Sequence, residues 1–516
     1  MGPELMQQIL SRLPVKEAAR TSVLSKSWLY AWSTIPTLRF NVGRKKSMKL
    51  EDVDRTLIRY LRDNTPIERF ELVIQIKNQE SASHAEQWIG PVASKHCLKE
   101  ISLSITLNGA SFTLPDEILS GESLTKIKIS VPMRGIHSVW MKTPVIKCSS
   151  LRELHLEGVC ISEEALHDIL LSCSSLVKIV LLGSCKGFKT IRVKNLPRLY
   201  ELQIALDVVD STALQISDVP NLGVFSCNVD LKFRRHPPIP FNAYSISLGS
   251  NVTQLMLAGM VTDNLCLDRI KSGFPFLESL TLDLTSWMLE SFHFTCASIK
   301  ILSLLSCPDI LIDVQVHAPK LKNFEFCGDT LPSLLFPVSS LNRLLLSLSL
   351  DLPVDANFFL KMRETLALSR ECYLNITTHN SELPFDMDMD DLRTRLLLPP
   401  AMNVQELCFE TDEDDCLWER SPFFDAFFEI CHPRHVIPYP DISFSHNNHF
   451  CRLMLREVLE KKIKTMTRTA YWPHYLKHVQ IRQDPYQKWK TLTNSHRSFL
   501  DGSSPDVDLE FKLEWC

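Results

Sequence analysis

Between positions 431 and 451 the sequence places Cys431, His432, His435, His446, His449 and Cys451, six side chains of metal-ligating type. Thiolate and imidazole are the donors that tetrahedral zinc takes, and any four of these would complete a site. The spacing speaks against it. No Cys-x-x-Cys occurs anywhere in the chain, so the paired-ligand signature of a zinc finger or ribbon is missing. The acidic runs Phe385–Asp391 and Thr411–Asp415 lack the glycine and closing glutamate of a calcium loop and read as solvated segments. No nucleophile elbow, P-loop, G-x-G-x-x-G or H-E-x-x-H appears. The reading is no metal, no cofactor and no catalytic constellation.

The bulk properties narrow the partners. A net charge of −4 gives no basic footprint for nucleic acid. The most apolar stretch, Leu331–Leu350, is interrupted by Pro332, Pro337 and Arg343, which makes it a poor membrane span. Sixteen cysteines in 516 residues are too sparse for a disulfide scaffold, and no secretory leader precedes them. Reduced thiols in the cytoplasm or nucleus are expected. Protein surfaces are then the remaining partners, and the elements that would build them come next.

Leu5, Met6, Ile9, Leu10 and Leu13 form one helical stripe that Pro14 ends. A second short pattern runs through Val15, Ala18, Ala19, Ser22 and Val23. Ser25 is placed to cap a third segment, in which Trp28, Leu29 and Trp32 share a face before Pro36. Three short helices cannot bury their own apolar surface well and need a partner, either the rest of the chain or another protein. The run "PELMQQILSRLPVKEAARTSVLSKSWLYAW" resembles the F-box of plant F-box/LRR proteins, including the FBD-associated group. Glu4, Leu5, Ile9, Leu10, Leu13, Pro14, Arg20 to Lys26, Trp28 and Trp32 carry the match. Met1 and Gly2 stand where that family has leucine and proline, and Ser27 replaces its usual basic residue. The resemblance implies docking on a Skp-type adaptor through Leu5, Ile9, Leu10, Leu13, Pro14, Val23, Leu24, Trp28 and Trp32, and through that adaptor on a cullin and a RING protein.

Behind this module an irregular repeat emerges. "CSSL" recurs at Cys148–Leu151 and Cys173–Leu176, each time followed by apolar residues at the first, fourth and sixth positions: Leu151/Leu154/Leu156 and Leu176/Ile179/Leu181. The pattern continues at Leu199, Leu222, Val252, Leu277, Ile299 and Leu321, with earlier starts at Leu98 and Leu124 and a later one at Leu341. Such positions bracket a short strand whose apolar side is buried only against neighbouring units, as in a leucine-rich-repeat solenoid. The cysteines that recur near the repeat turns read as small buried side chains. Strand residues alternate faces, so Glu153, His155, Glu157, Val180, Leu182, Ile301 and Leu305 are expected to point outward and offer a target-binding surface.

After about residue 350 the repeat fades. "MNVQELCF" reads as one more strand, Leu476–Ile481 as another, and Val507, Leu509, Phe511, Leu513 and Trp515 alternate as a final one. "SPFFDAFFEICHPRHV" and "YLKHVQI" are similar to the C-terminal part of FBD-type F-box proteins. The expected architecture is α/β: an all-α F-box at 1–40, a linker and solenoid start at 41–97, irregular leucine-rich repeats at 98–350, and an α+β cap at 351–516. The expected function is a non-catalytic substrate receptor of an SCF-type ubiquitin ligase, with a repeat-based scaffold carrying a degenerate F-box as the alternative.

Overall fold

The computed structural model describes the chain except residues 1, 14, 44–47, 109–110, 133–137, 142–145, 184–187, 208–212, 231–244, 247–250, 337–340, 351–353, 379–387, 412–422, 439–447, 460–471, 484–486 and 500–508. It divides into two compact units, Met1–Met260 and Val261–Cys516.

The first unit opens with α1 (Pro3–Arg12), α2 (Val15–Thr21) and α3 (Lys26–Ser33). The Ser25 hydroxyl accepts from the Trp28 amide, so the expected cap starts α3. Met6, Leu10, Ala18 and Ala31 form a small core, with Leu13, Trp28, Trp32 and Ile35 packed on it. The Gln7 amide bridges α1 to the end of α3 by donating to the Thr34 carbonyl and hydroxyl at 3.0 and 2.9 Å.

The repeat begins earlier than its leucine pattern reveals. Strand Thr37–Val42, which starts at the end of the F-box segment, already pairs in parallel with Arg69–Ile76, inside the stretch that reads as linker and solenoid start. Two helices fill those first coils: α4 (Leu50–Arg62), which buries Val53, Leu57 and Tyr60 on one stripe, and α5 (Gln79–Ala93). A reciprocal capping box of Asn78 and Ser81 starts α5. The parallel ladder then runs through Glu100–Leu107, Lys126–Ser130, Glu153–Glu157, Lys178–Leu182, Glu201–Asp207, Val224–Asp230 and Gln254–Ala258. At each corner an amide donates to the carbonyl of the corner before it: Lys99 to Glu68, Thr125 to Lys99, Arg152 to Thr125, Val177 to Arg152, and onward to Thr253 on Gly223. Asn221 and Asn251 add side-chain bonds to the carbonyls of Pro197 and Pro220, the prolines that precede repeat starts. Burying the coil edges is possible because this relay pairs their backbone groups.

Every repeat leucine named above that falls at the first, fourth or sixth position is inside; Leu154, Leu156, Leu280 and Leu282 are fully buried. Short outer strands stack as well, Phe112–Leu114 with Val139–Met141 and Val159–Cys160, and Thr190–Lys194 with Ala213–Ser217 and Ser245–Ile246; the coil of Val159–Cys160 also carries the helix Glu163–Ser172. Of the cysteines at the turns, Cys148, Cys173 and Cys307 are interior, as expected, whereas Cys160 is half-buried and Cys185 lies outside the described residues. Cys148 and Cys173 are fully buried free thiols stacked one coil apart, hydrogen-bonded to each other with Sγ atoms 3.7 Å apart rather than joined in a disulfide.

In the second unit the ladder runs from Ser279–Asp283 through Ile301–Cys307, Asn323–Gly328 and Leu341–Ser349. It does not stop near residue 350. Ser369–Thr378, Val404–Thr411 and His435–Pro438 extend it in parallel. Longer coils, one holding the helix Ala356–Leu366, stretch the spacing there and hide the period from the sequence. Aromatic packing takes over from leucine: Phe427 meets Phe359 at 5.1 Å and Phe409 at 5.3 Å edge to face. The last strand, Glu510–Trp515, then lies antiparallel to both His435–Pro438 and Leu476–Arg482 and ends the parallel series. Leu509, Phe511 and Leu513 are buried as their alternation predicts; Val507 lies outside the described residues.

Candidate functional site: two protein-interaction surfaces

The four described side chains of the candidate metal cluster are each engaged elsewhere. Cys431 is fully buried and its thiol donates to the Phe427 carbonyl at 3.2 Å. Burial pushes its pKa up and keeps the proton on sulfur. The His432 ring stacks on Trp515, 4.0 Å between centres, and burial lowers its pKa to about 4. The His435 ring stacks on Trp489 instead. The Cys451 sulfur is bonded to the backbone of Leu509. His446 and the His449 side chain lie outside the described residues. Among the described residues no group of three or more histidines, cysteines or carboxylates is arranged to hold a metal, and no helix is long and apolar enough to cross a membrane.

The F-box exposes a different apolar set from the one its stripes suggest. Leu5, Ile9, Val23 and Leu24 reach solvent, Val23 at 85% and Leu24 at 67%. Leu10, expected on the adaptor face, is 1% exposed and belongs to the module's own core. Leu13, Trp28 and Trp32 are half-buried on that core, because three helices this short must spend their largest side chains on each other. Pro14 lies outside the described residues. Leu29, expected on one face with Trp28 and Trp32, is instead 49% exposed, and Tyr30, which the sequence left unassigned, is 61% exposed. Tryptophans four residues apart claim one face of α3 and leave Leu29 and Tyr30 off it.

The outward face of the first unit's ladder is organised by charge. At the first position of six successive strands stand Arg69, Glu100, Lys126, Glu153, Lys178 and Glu201, each beside the next in register. Ion pairs close at 3.1 Å for Arg69–Glu100, 2.5 Å for Lys126–Glu153 and 2.8 Å for Lys178–Glu201. Glu153 is therefore engaged within the sheet. Glu157 is engaged too, accepting from the Ser130 hydroxyl at 2.5 Å and lying 3.7 Å from His155. Burial, with Lys128 adding to it, holds His155 below the ordinary imidazole pKa. Val180 overturns its expected exposure: it stands between His155 and Gln203, whose longer side chains leave it 2% accessible. Leu182 and Leu305 are half-buried, and Ile301 is 40% exposed beside Ser279 and Asn323.

Comparison with known proteins agrees with this construction. Residues 1–40 match the F-box domain family, and residues 85–236 match the family described as FBD-associated F-box protein At5g56370, LRR repeats. Among curated proteins of Arabidopsis thaliana, the putative F-box/LRR-repeat protein At3g18150 is 30% identical over 41% of this chain and 43% of its own length. F-box/LRR-repeat protein At3g59190 is 25% identical over 48% of this chain and 66% of its own. FBD-associated F-box protein At3g52670 is 30% identical over 34% and 41%. The aligned stretches thus span from under half to about two thirds of these relatives' lengths. An N-terminal F-box followed by a leucine-rich-repeat ladder is what the chain contains, and it resembles the plant F-box/LRR-repeat and FBD-associated F-box proteins.

Proposed function

We propose that the chain is a substrate receptor of an SCF-type ubiquitin ligase, binding a Skp-type adaptor through its F-box and a target protein through its repeats. The observation that carries the reading is the outward apolar set Leu5, Ile9, Val23, Leu24, Leu29 and Tyr30 on a module whose small core already uses Met6, Leu10, Leu13, Trp28 and Trp32. A patch of that kind on so small a module marks a protein-binding face. The adaptor would link the chain to a cullin and a RING protein. The receptor would then contribute proximity, raising the effective concentration of target lysines near a charged ubiquitin carrier. No chemistry is assigned to the receptor itself, and the compartment proposed is the cytoplasm or nucleus. For the target, the half-open aliphatic side chains Leu182, Ile301 and Leu305 are better anchors than Glu153 and Glu157, which already have partners.

A pull-down with purified Skp-type adaptor tests the reading. Wild-type chain is expected to bind, and Leu5→Asp combined with Leu24→Asp to lose binding while melting normally. Both residues are exposed, so the change spares the core, unlike a substitution of Trp28. Undiminished capture by the double variant would place the adaptor contact elsewhere. No wild-type binding at micromolar adaptor would leave the repeat scaffold as the reading.

A further inference from the structure

The last strands of the second unit hold an open cleft of about 680 Å3. His435–Pro438, Glu510–Trp515 and Leu476–Arg482 set His435, Lys512 and Gln480 side by side on their outer face, and His478 stands beside Glu514. Arg434 enters just before the first of these strands. Trp515 closes one end, its ring fixed by the stacked His432 and by Nε1 donating to the Pro433 carbonyl at 2.8 Å. Met402, 56% exposed, shares that apolar end. Residues 439–447, 484–486 and 500–508, outside the description, follow or precede the opposite ends of the same strands. Charge in the cleft does not cancel. Its one carboxylate, Glu514, is held by Lys477 at 2.8 Å. Arg434 and Lys512 are exposed and form no ion pair among the described residues. Glu406 is next in register beyond His435 and does not line the cleft. Burial holds His435 below the ordinary imidazole pKa, so the permanent cations are Arg434 and Lys512.

We propose that this cleft binds a short acidic peptide segment in extended form, with carboxylates at alternate positions on Arg434 and Lys512 and the next side chain of the same face, an apolar one, against Met402 and Trp515. Spacing supports the carboxylates. Arg434 and Lys512 stand on neighbouring strands one residue out of register, so their Cα atoms are roughly 6 Å apart, close to the roughly 6.6 Å between alternate residues of an extended chain. Size supports a peptide over a free ion, since sites of roughly 300–1,000 Å3 are those of organic ligands. Each cation is single and stands on its own strand, which suits separate monoanions, whereas a phosphate dianion is met best by forked guanidinium contacts. Two cations on a chain of net charge −4 are too few for the basic stripe that nucleic acid needs. The fixed indole and the adaptable thioether give the segment an apolar anchor. The proposal requires no adaptor and stands apart from the reading of the F-box.

The test is fluorescence polarisation on the full chain with a fluorescein-labelled peptide that carries aspartates at two alternate positions and a leucine two residues beyond. Control peptides carry asparagine for both aspartates, phosphoserine for one of them, or glycine for the leucine. Saturable binding is expected, at least tenfold tighter than that of the asparagine peptide. Arg434→Gln combined with Lys512→Gln should weaken it at least tenfold. Both side chains are exposed, so the urea midpoint should stay where it is. Gln480→Glu, which sets a carboxylate beside Lys512, should weaken binding at least threefold. Met402→Ala should weaken the leucine peptide about threefold and leave the glycine peptide unchanged. Equal affinity for the aspartate and asparagine peptides would overturn the proposal. So would no saturable binding, or undiminished binding by both charge variants. Tighter binding of the phosphoserine peptide, or displacement by millimolar inorganic phosphate, would overturn it in favour of a phosphate site. Displacement by a single-stranded oligonucleotide at lower concentration than unlabelled peptide would make the cleft a nucleic-acid surface instead.

Discussion

In the F-box, Val23, Leu24 and Tyr30 stand in water, while in strand Glu153–Glu157 every second side chain is sealed and the others are tied to neighbours by charge. Both regions are built from short elements with the same supply of leucine. They differ in what lies beyond each element. A coil has another coil on either side, so its apolar residues find cover within the chain and its polar residues find register partners. The F-box has one such neighbour, the first coil. It is attached by the Tyr60 hydroxyl donating to the Ile35 carbonyl and by Arg59 against Trp32. Its far side is left open. Between these two stretches, exposure of apolar side chains follows the absence of an internal neighbour, which is why the open face of the F-box is the one to assign to a partner.

The largest separation between the regions should appear on truncation. Leu154→Ala removes a fully buried side chain between coils and should cost about 2–5 kcal/mol in urea unfolding. A loss below 1 kcal/mol would mean that the coils can collapse around the gap and are less closely packed than their burial indicates. Next comes the turn after the same strand. Gly158 has φ +64, and an added Cβ would meet the Val131 carbonyl oxygen at 2.3 Å. Gly158→Ala should therefore destabilise by about 2 kcal/mol, from left-handed strain plus displacement of that corner. A neutral outcome would show the corner to be adjustable.

Acid should separate the cap from the rest. His432 has its pKa lowered in the fold to about 4, so the fold prefers the neutral ring. Its contribution is complete above the unfolded value near 6.5 and is lost as pH falls from there toward 4. With discount for its partial exposure, the loss at pH 5 is on the order of 1 kcal/mol. His432→Phe keeps a ring over Trp515 and should show a smaller drop in urea midpoint between pH 7 and pH 5. Equal drops would mean that the ring titrates freely. A comparable effect, about 1 kcal/mol, is expected for Glu153→Lys, which sets a third cation between Lys126 and Lys178. It should shrink in 1 M salt. The smallest effect on stability belongs to the F-box face: Leu24→Asp should shift unfolding by less than about 0.5 kcal/mol. The same change should weaken adaptor capture at least tenfold. A large loss of stability there would show that the side chain is structural after all.

What could be read from the sequence follows the same division. The first, fourth and sixth positions of the coils were visible because burial on one face writes a period into the residues. In the first coils, read only as linker and solenoid start, α4 and α5 lengthen the leucine spacing; of the last ones only the strand in MNVQELCF was legible, because Phe359, Phe409 and Phe427 replace leucine with larger rings. Surfaces were harder. A stripe tells which residues are apolar but not which of two neighbours covers them, so Leu10 and Val180 were placed outside while both are inside. The charge ladder was invisible for another reason. Its members lie 23 to 31 positions apart and become a series only once each strand is set beside the next.

That series has a parity. Its signs run plus, minus, plus, minus, plus, minus from Arg69 to Glu201, so each residue is neutral toward its neighbours only if they are an odd number of coils away. A chain that skipped one coil while folding would stack Lys126 on Lys178 or Glu100 on Glu153. Each such junction trades an attraction of up to about 1 kcal/mol for a repulsion of similar size. The junctions after the skip keep their alternation, so the penalty falls on that one junction, while the hydrophobic positions, being alike from coil to coil, would scarcely notice the skip. The same rule bears on how such an array can lengthen. Inserting a single copied coil into this stretch leaves two like charges side by side, whereas a copied pair restores the alternation, so this part of the solenoid is built to grow by twos.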